Sequence, residues 1–312
     1  MGAILVSGSL VYDKIMDFPG RFVDHILPEK IHALSVNFVV DKVETRMGGT
    51  AGNIAYNLKL LGEEPIIFSQ AGTDFGLYKK WLQQHHITVE GIRLVPRKET
   101  TVAYIITDRN DNQIAALHFT TMGTPCGITL NKVQRYVPVK MAIIAPGNTT
   151  DMIHAAQVYK RLGIPYIADP GQEIPLLSAR ELDYIMQGAR VLISNDYEFS
   201  LIKRKLKLSD EVILRRMPIV VVTLGAQGSC IYHGTQKYTV KAVRPRRVVD
   251  PTGAGDAYRA GFIKGFINGW SLTRCGEFAS YIAKFPVEHY GTQEHRFPRN
   301  LEKRQGRFLL KS

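Results

Sequence analysis

Cysteine is scarce in this chain, and the cysteines that occur are far apart. The 312 residues contain three, Cys126, Cys230 and Cys275, and no C-x-x-C pair. Neither a disulfide framework nor a cysteine-based zinc site is therefore indicated. An odd number of separated thiols suits a reducing compartment, so we expect a cytoplasmic protein.

Long apolar runs are lacking as well. No stretch reaches the roughly 18 consecutive apolar residues that a membrane-spanning helix needs. The short apolar run within residues 1–10 has no basic segment in front of it, which a secretory signal peptide would require. We therefore expect no membrane partner.

Two familiar nucleotide-binding motifs are absent. A Walker A loop needs Gly-Lys followed by Ser or Thr, and the dipeptide Gly-Lys does not occur in the sequence. The dinucleotide fingerprint G-x-G-x-x-G would need a glycine at position 258 after Gly253 and Gly255, where the chain has Tyr258. A phosphate site in this chain is therefore of another kind.

The composition is that of a folded protein with a sizeable core, because 45% of the residues are hydrophobic and 22% are charged. Lys and Arg outnumber Asp and Glu by 40 to 28, which gives a net charge of +12 and raises the hypothesis of nucleic-acid binding. The basic residues are scattered, however, with short clusters only at 203–207, 244–247 and 296–311. A solvated basic surface that attracts anionic nucleotides accounts better for this pattern, so we expect no nucleic-acid partner.

Strand and helix patterns alternate along the second half of the chain. This alternation predicts an α/β fold with a mostly parallel central sheet and helices on both faces. The expected strands are 141–145, 166–168, 191–194 and 219–223, and the expected helices are 149–162, 178–187, 197–205 and 210–216.

A second, smaller sheet is predicted from the first half. Residues 101–107 and 113–119 are apolar runs joined by the polar cluster 108–112, which is typical of a β-hairpin. Alternating apolar residues also predict a strand at 34–43. These elements are too irregular for a strand–helix–strand unit, so we expect them to form a separate β insertion.

Residues 248–257 combine a strand end, a tight turn and a helix start. Gly253 and Gly255 would let a phosphate approach the backbone closely, and the N–H groups at a helix N-terminus favour an anion. Asp256 stands at the predicted helix start. It is either a helix N-cap or a base that takes a proton from a hydroxyl during phosphoryl transfer.

A second glycine-rich turn precedes a predicted helix at residues 48–62. Gly48 and Gly49 leave backbone N–H groups free to meet a ligand, and Gly62 is a favourable helix end. Asn53, in the first turn, can donate and accept hydrogen bonds at once, which suits sugar hydroxyls. The alternative is an ordinary glycine turn with an asparagine cap.

The two turns together resemble a known protein family. Residues 250–258 match the pattern D-x-T-G-A-G-D-A-[FY], and residues 48–62 match G-G-x-x-x-N-x-A-x-x-L-x-x-L-G. These patterns resemble the signatures of the ribokinase-like (PfkB) carbohydrate and nucleoside kinases. The segments 18–28 and 111–115 are similar to the bacterial adenosine kinase-like subgroup of that family.

The resemblance implies an ATP-dependent kinase that transfers the γ-phosphoryl group to a primary hydroxyl, with Mg²⁺ on the ATP phosphates. Asp256 would be the catalytic base. The amides of Gly253, Ala254 and Gly255 would form the anion hole.

The resemblance also implies a ribokinase-like fold in which the small sheet is a lid over the substrate. The insertions at about 11–46 and 97–121 would form this lid on a single kinase domain of residues 1–312. Exposed strands of such a sheet could pair between two copies, which would give a homodimer through the lid.

The remaining site residues are assigned by the same resemblance and fall into groups for the acceptor, for ATP and for cations. They are Asp13, Gly48, Gly49 and Asn53 for the acceptor; Asn195, Thr223, Gly225 and Gly228 for ATP; Glu198 for Mg²⁺ through water; and Asp250 and Thr252 for a monovalent cation, K⁺. The spacing of Asn195 and Glu198 fits a helix capping box equally well.

The acceptor is the hardest feature to predict. An apolar, aromatic lid containing Phe18, Phe22, Phe38 and Phe119 would suit a stacked base, although aromatic residues chiefly serve burial. We therefore expect a nucleoside kinase with adenosine as first choice and a sugar kinase of the same family as the alternative. Hypotheses of another class are a basic nucleic-acid-binding protein and a relative that binds nucleotides without catalysis.

Overall fold

The structure is a computed structural model that describes residues 2–110, 112–298 and 301. The strands in this part of the chain are Ala3–Ser7 (β1), Val11–Asp17 (β2), Lys42–Gly48 (β3), Pro65–Ala71 (β4), Ile92–Leu94 (β5), Val102–Thr107 (β6), Gln113–His118 (β7), Val139–Ile144 (β8), Tyr166–Ala168 (β9), Val191–Asn195 (β10), Ile219–Thr223 (β11), Ser229–His233 (β12) and Gln236–Val240 (β13). The helices are Thr50–Leu60 (α1), Gly76–Gln84 (α2), Leu130–Gln134 (α3), Thr149–Leu162 (α4), Ala179–Met186 (α5), Asp196–Leu206 (α6), Asp210–Arg216 (α7), Ala254–Ile267 (α8) and Leu272–Val287 (α9).

A large sheet forms the centre of the fold, with the strand order β13-β12-β11-β10-β9-β8-β1-β4-β5. Its strands from β11 to β5 pair in parallel, and β12 and β13 add an antiparallel edge. Side chains alternate along each strand, so Ile4 and Val6 lie in one core while Leu5 lies in the other. The first core also contains α1, α2, α8 and α9, and the second contains α3 to α7. The predicted mostly parallel sheet with helices on both faces is confirmed.

The carboxyl end of β1 is the natural place for a ligand, because the strand order reverses there, with β4 and β5 on one side of β1 and β8 and β9 on the other. The loop that follows β1 is fixed to the start of α1. The amide of Thr50 donates to Ser9 Oγ at 3.1 Å, and Thr50 Oγ1 accepts from the Ser9 amide at 3.2 Å. The glycine-rich start of α1 is therefore held at this edge of the sheet.

A separate four-stranded sheet, called the small sheet below, has the order β3-β2-β6-β7. The predicted hairpin is confirmed, since β6 and β7 pair antiparallel from Val102 opposite His118 to Thr107 opposite Gln113. Asp111 in its turn lies outside the described residues, as do positions 299–300 and 302–311 of the predicted basic cluster.

The strand predicted at 34–43 is wrong in its position. Residues 34–41 are irregular, and pairing with β2 begins at Lys42, opposite Asp17. The alternation arises from local packing instead, because Phe38 contacts Phe18 and Phe22 with ring centroids 4.9 and 5.1 Å apart. The true strand, β3, begins with mostly charged and exposed residues and therefore carries no apolar signal.

Sequence patterns gave no signal for β5 or α3, because three and five residues are too few to show a period. None of the helices described above combines the length and the apolar character needed to cross a bilayer.

Candidate active site

The turn before α8 has the geometry of an anion site. Gly253 is the residue before the helix and adopts φ +80°, a left-handed conformation that favours glycine. The amide of Ala254 makes a long 3.3 Å bond to the Pro251 carbonyl, whereas the amides of Gly255 and Asp256 have no hydrogen-bond partner among the described residues. Free N–H groups at a helix N-terminus suit a phosphate oxygen.

Asp256 is half-buried at this turn and is bound by a residue from the other glycine-rich segment. Asn53 Nδ2 donates to Asp256 Oδ2 at 2.8 Å. Burial raises the pKa of Asp256 to about 6, while the positive charge of Arg259 and the Asn53 hydrogen bond oppose this rise. The two glycine-rich turns, widely separated in sequence, therefore meet at one carboxylate.

The side chain of Asn53 is oriented by the loop after α9. Its Oδ1 accepts from Thr292 Oγ1 at 2.7 Å and from Gln293 Nε2 at 3.0 Å. Gln293 is in turn oriented, because its Oε1 accepts from Trp81 Nε1 at 2.9 Å. Sequence reasoning missed Thr292 and Gln293, and no motif spacing in residues 288–295 pointed to them.

Asp13 lies beside the same site on β2. Gly48, which was predicted to bind the phosphoryl acceptor, packs directly against the Asp13 carboxylate, since a Cβ on Gly48 would stand 2.1 Å from Asp13 Oδ2. Burial raises the pKa of Asp13 to about 7, and the charges of Asp250 and Asp256 add to the effect. Gly49 has φ +89°, and a Cβ there would stand 2.6 Å from the Ser9 carbonyl oxygen. Because neither glycine has a Cβ, the backbone at positions 48 and 49 can lie against Asp13 and Ser9, which no other residue type would permit.

A buried ion pair lies near Asp256. Arg259 of α8 binds Asp169, which follows β9, through Nε and through Nη2, the latter at 2.6 Å from Oδ1. Glu198 interacts electrostatically with this ion pair. Burial and the charge of Asp169 raise the pKa of Glu198, whereas the charge of Arg259 lowers it. Sequence reasoning missed Asp169 and Arg259 as well.

Asn195 and Glu198 form the capping box that was the alternative to a magnesium role. Asn195 Oδ1 accepts from the Glu198 amide at 2.7 Å, and Glu198 Oε2 accepts from the Asn195 amide at 2.8 Å. The box leaves Glu198 Oε1 without a hydrogen-bond partner among the described residues. One carboxylate oxygen is thus available to a water of a hydrated Mg²⁺, which prefers oxygen ligands.

The other predicted ATP residues follow the carboxyl end of β11. Thr223 Oγ1 makes a long 3.4 Å bond to the Ser194 carbonyl. Gly225 and Gly228 have φ +56° and +103°, and a Cβ on Gly228 would stand 2.0 Å from the Val240 carbonyl oxygen. These glycines serve the tight connection between β11 and β12.

Asp250 fixes the signature turn to the loop after α9. Its Oδ1 accepts from the Thr252 amide at 2.9 Å, and its Oδ2 accepts from the Gly291 amide at 3.3 Å. Thr252 itself is exposed. Within 2–110, 112–298 and 301, no cluster of three or more His, Cys, Asp and Glu residues could hold a metal ion. A monovalent cation here would depend largely on backbone carbonyls.

The aromatic residues proposed for base stacking fall into two kinds. Phe18 and Phe22 are buried and pack on each other with ring centroids 5.9 Å apart, so they serve the core of the small sheet. Phe119 is half exposed. Phe119 is therefore the member of the set most open to a ligand.

Comparisons with known proteins agree with this geometry. Residues 9–299 match the model of the pfkB family of carbohydrate kinases. A nucleoside kinase of Methanocaldococcus jannaschii is 30% identical over 274 residues, which cover 85% of this chain and 87% of that protein. A nucleoside kinase of Methanothermobacter thermautotrophicus is 32% identical over 263 residues, which cover 81% of this chain and 82% of that protein.

Solved structures give the same result. The Burkholderia thailandensis nucleoside kinase in complex with inosine superposes with a TM-score of 0.84 at 32% identity, covering 98% of this chain and 96% of that one. The M. jannaschii nucleoside kinase, described as an archaeal member of the ribokinase family, superposes with a TM-score of 0.83 at 26% identity, covering 99% and 98% of the two chains. The ribokinase-like fold is confirmed. The chain belongs to the pfkB family of carbohydrate kinases and is an ATP-dependent phosphotransferase that acts on an alcohol group.

Proposed function

We propose that this protein is a nucleoside kinase that transfers the γ-phosphoryl group of Mg-ATP to a primary hydroxyl, with adenosine as the favoured acceptor. The observation that carries the proposal is the placement of Asp256. This half-buried carboxylate accepts a hydrogen bond from Asn53 and stands at a helix N-terminus whose amides at positions 255 and 256 are free among the described residues. A base beside an anion site is the arrangement that phosphoryl transfer requires.

The reaction follows from this arrangement. Asp256 takes the proton of the acceptor hydroxyl while the oxygen–phosphorus bond to the γ-phosphoryl group forms. The bond from that phosphorus to the β–γ bridging oxygen breaks, and ADP leaves with the electron pair. Amides of Gly253, Ala254, Gly255 and Asp256 stabilise the charge on the transferred group, with the free amides of Gly255 and Asp256 contributing most.

The pKa of Asp256, raised to about 6, suits a general base near neutral pH. The carboxylate is ionised above this value and is a stronger base than an ordinary aspartate. Asp13, with a pKa of about 7, is a mixture of neutral and ionised forms at neutral pH and can donate to or accept from a sugar hydroxyl. Asn53 has one Nδ2 hydrogen left for the same acceptor.

ATP and Mg²⁺ occupy the opposite side of Asp256 in this proposal. Asn195, Thr223, Gly225 and Gly228 line the nucleotide, and Glu198 directs the hydrated Mg²⁺ through Oε1. Mg²⁺ held there would neutralise part of the negative charge of the ATP phosphates. Asp250 and Thr252 belong to a K⁺ site that would order the signature turn, so turnover in potassium and in tetramethylammonium salts tests that part separately.

The small sheet acts as a lid in this proposal, with the insertions 11–46 and 97–121 placed on one kinase domain. A lid that covers the acceptor excludes water and so protects ATP from hydrolysis. The edges of this sheet, β3 and β7, are the surfaces through which a homodimer would form. Sedimentation of the protein, alone and after Ile114→Lys in the exposed strand β7, tests the dimer.

The nucleoside acceptor is supported by the similarity to nucleoside kinases, and adenosine by the likeness of residues 18–28 and 111–115 to the adenosine kinase-like subgroup. The family description as carbohydrate kinases favours a sugar as the second candidate. Release of ADP from Mg-ATP, measured with a panel of nucleosides and sugars, separates the two. Turnover of a hexose without turnover of any nucleoside would overturn the nucleoside assignment.

The base assignment has its own test. Asp256→Asn keeps the size of the side chain but cannot take a proton, so kcat should fall by about 100-fold or more. Calorimetry of ADP binding to the same variant should give an unchanged affinity. Full activity of Asp256→Asn would show that another group is the base.

A further inference from the structure

Arg259 is a buried cation that the reaction as described does not use. It lies on α8, one helical turn after Gly255, and its side chain is 9% exposed. Nε and Nη2 bind the two oxygens of Asp169, whose side chain is 1% exposed. Such a bidentate pair fixes the plane of the guanidinium group.

The third nitrogen of Arg259 lies beside Gly255, a residue of the anion site. Both bonds to Asp169 come from Nε and Nη2, so Nη1 has no hydrogen-bond partner among the described residues. A Cβ on Gly255 would stand 2.9 Å from Nη1. Nη1 therefore lies directly beside Gly255, whose amide is free among the described residues. A side chain at position 255 would occupy the space between them.

Stability alone is a weak reason for this arrangement. A buried ion pair is often no more stable than apolar residues of the same volume, because both charges lose their hydration. The charges around the pair are unbalanced, since Asp169, Asp256 and Glu198 all interact with the single cation Arg259. Negative charge is therefore in excess around Arg259. A bound phosphoryl group would increase this excess unless a cation such as Mg²⁺ accompanied it.

We propose that Arg259 is a catalytic residue whose Nη1 donates a hydrogen bond to an oxygen of the transferred phosphoryl group, and that Asp169 is the residue that positions it. This role rests on the proposed phosphoryl transfer and deepens it. Arg259 neither gives nor takes a proton, because a guanidinium stays charged at every working pH. It stabilises the negative charge on the phosphoryl oxygens while the bond to the acceptor forms and the bond to ADP breaks.

The test compares Arg259→Lys and Arg259→Ala with the intact protein. Lysine keeps a charge but cannot bind Asp169 in two places, and alanine leaves a space that free guanidinium can enter. We expect kcat to fall by about 100-fold or more in both variants while the KM for the acceptor changes little. Added guanidinium should restore part of the activity of Arg259→Ala and none of that of Arg259→Lys.

A second readout does not need an acceptor. Arg259→Ala should bind Mg-ADP with aluminium fluoride, a mimic of the transferred group, at least about tenfold more weakly than the intact protein, but bind Mg-ADP alone unchanged. The acidic limb of the kcat/KM profile should also move to higher pH, because Arg259 opposes the rise in the pKa of Asp256. The other charged groups that interact with Asp256 are Asp169, Glu198 and Asp13, and none of them is substituted in this variant.

Lys264→Met is the matched control. Lys264 also lies on α8 and also pairs with a buried carboxylate, Glu63, but it is remote from the anion site. This variant should lose stability without changing kcat, the acidic limb or the aluminium fluoride affinity.

The outcomes separate the two proposals. Equal aluminium fluoride affinity, with kcat within about threefold of the intact protein, would overturn the role of Arg259. Absence of turnover with every nucleoside and sugar would overturn the proposed acceptors. A weakened aluminium fluoride complex in that case would still support Arg259 as a ligand of the phosphoryl group.

Discussion

Asn53 donates its Nδ2–H to Asp256 Oδ2 at 2.8 Å, across a sequence separation of 203 residues. The amide of Asn53 has one permitted orientation, because its Oδ1 already accepts hydrogen bonds from Thr292 and Gln293. One oxygen of Asp256 is therefore always engaged, which leaves the other for the acceptor hydroxyl. The same bond opposes the rise in the pKa of Asp256 that burial causes.

Replacing Asn53 should change the pH profile of the enzyme. Asn53→Leu removes the donor at similar volume, so the pKa of Asp256 rises and the acidic limb of kcat/KM moves to higher pH. We expect kcat to fall by about 10- to 100-fold, measured in steady-state assays from pH 5 to pH 9.

Asn57→Leu is the control for this experiment. Asn57 lies one helical turn later on α1, is fully buried, and donates to the Asn53 backbone carbonyl at 2.9 Å. This variant should lose comparable stability in a thermal melt without a shift of the acidic limb. Equal shifts in the two variants would mean that the bond to Asp256 does not set the pH profile, and that loosening of α1 or of the loop after α9, which Asn57 Oδ1 contacts at His295 Nε2, does.

Gln293 offers a way to turn the Asn53 amide over. Gln293→Glu replaces the Nε2 donor with a carboxylate oxygen, which attracts Nδ2 of Asn53 and so directs Oδ1 at Asp256. Two acceptors, Asn53 Oδ1 and the Asp256 carboxylate, then face each other. The value of kcat should fall by about tenfold or more, and the acidic limb of the kcat/KM profile should move to higher pH.

Gln293→Met provides the comparison, because it removes the donor without offering a competing acceptor. The bond to the Asp256 carboxylate then still orients Asn53, and the loss in kcat should be smaller. Emission of Trp81, whose Nε1 donates to Gln293, should change in Gln293→Met and reports that the contact is broken. A larger loss in the methionine variant than in the glutamate variant would contradict the orientation argument.

The sequence predicted what depends on neighbouring residues and missed what depends on distant ones. The helix at 149–162 and the strand at 219–223 have the predicted bounds, because their period is written in contiguous residues. The glycine turn at 253–255 was equally local. The Asp169–Arg259 pair and the Gln293–Asn53 contact join residues 90 and 240 positions apart, and no local pattern encodes which polar side chains meet.

Gly253 should be less tolerant of a side chain than a glycine with the same backbone elsewhere. Gly253 and Gly62 have φ +80° and +76°, but a Cβ on Gly253 would stand 3.0 Å from the Thr292 side chain, whereas one on Gly62 meets nothing within 4 Å. Both alanine variants should lose about 1 kcal/mol from backbone strain, measured by denaturant unfolding. Only Gly253→Ala should lower kcat, because the anion-site amides shift. An equal kcat in the two variants would show that the turn tolerates displacement.

Glu173 should make the protein less stable as the pH rises through the neutral range. Its side chain is 2% exposed and has no hydrogen-bond or ion-pair partner among the described residues, so burial raises its pKa from 4.5 to about 7. The folded state therefore binds the Glu173 proton more tightly than the unfolded state does. The stabilisation that comes from this protonation is complete below the unfolded pKa and is lost between about pH 4.5 and pH 7. Glu173→Gln removes this ionisation and should raise the free energy of unfolding at pH 8 by about 1 to 3 kcal/mol relative to its effect at pH 5.

Glu181→Gln is the control with the opposite sign. The backbone amide and the side chain of Ser178 lower the pKa of Glu181, so its contribution is present above the unfolded pKa and is lost as the pH falls through the folded pKa. This half-buried residue should show no gain in stability at pH 8 when it is changed to glutamine. Urea unfolding of both variants at pH 5 and pH 8 measures the difference. A gain at pH 8 that is the same for both substitutions would contradict the buried ionisation of Glu173, because the general effect of net charge has the opposite sign: each change removes one negative charge from a basic protein and so increases its positive self-repulsion.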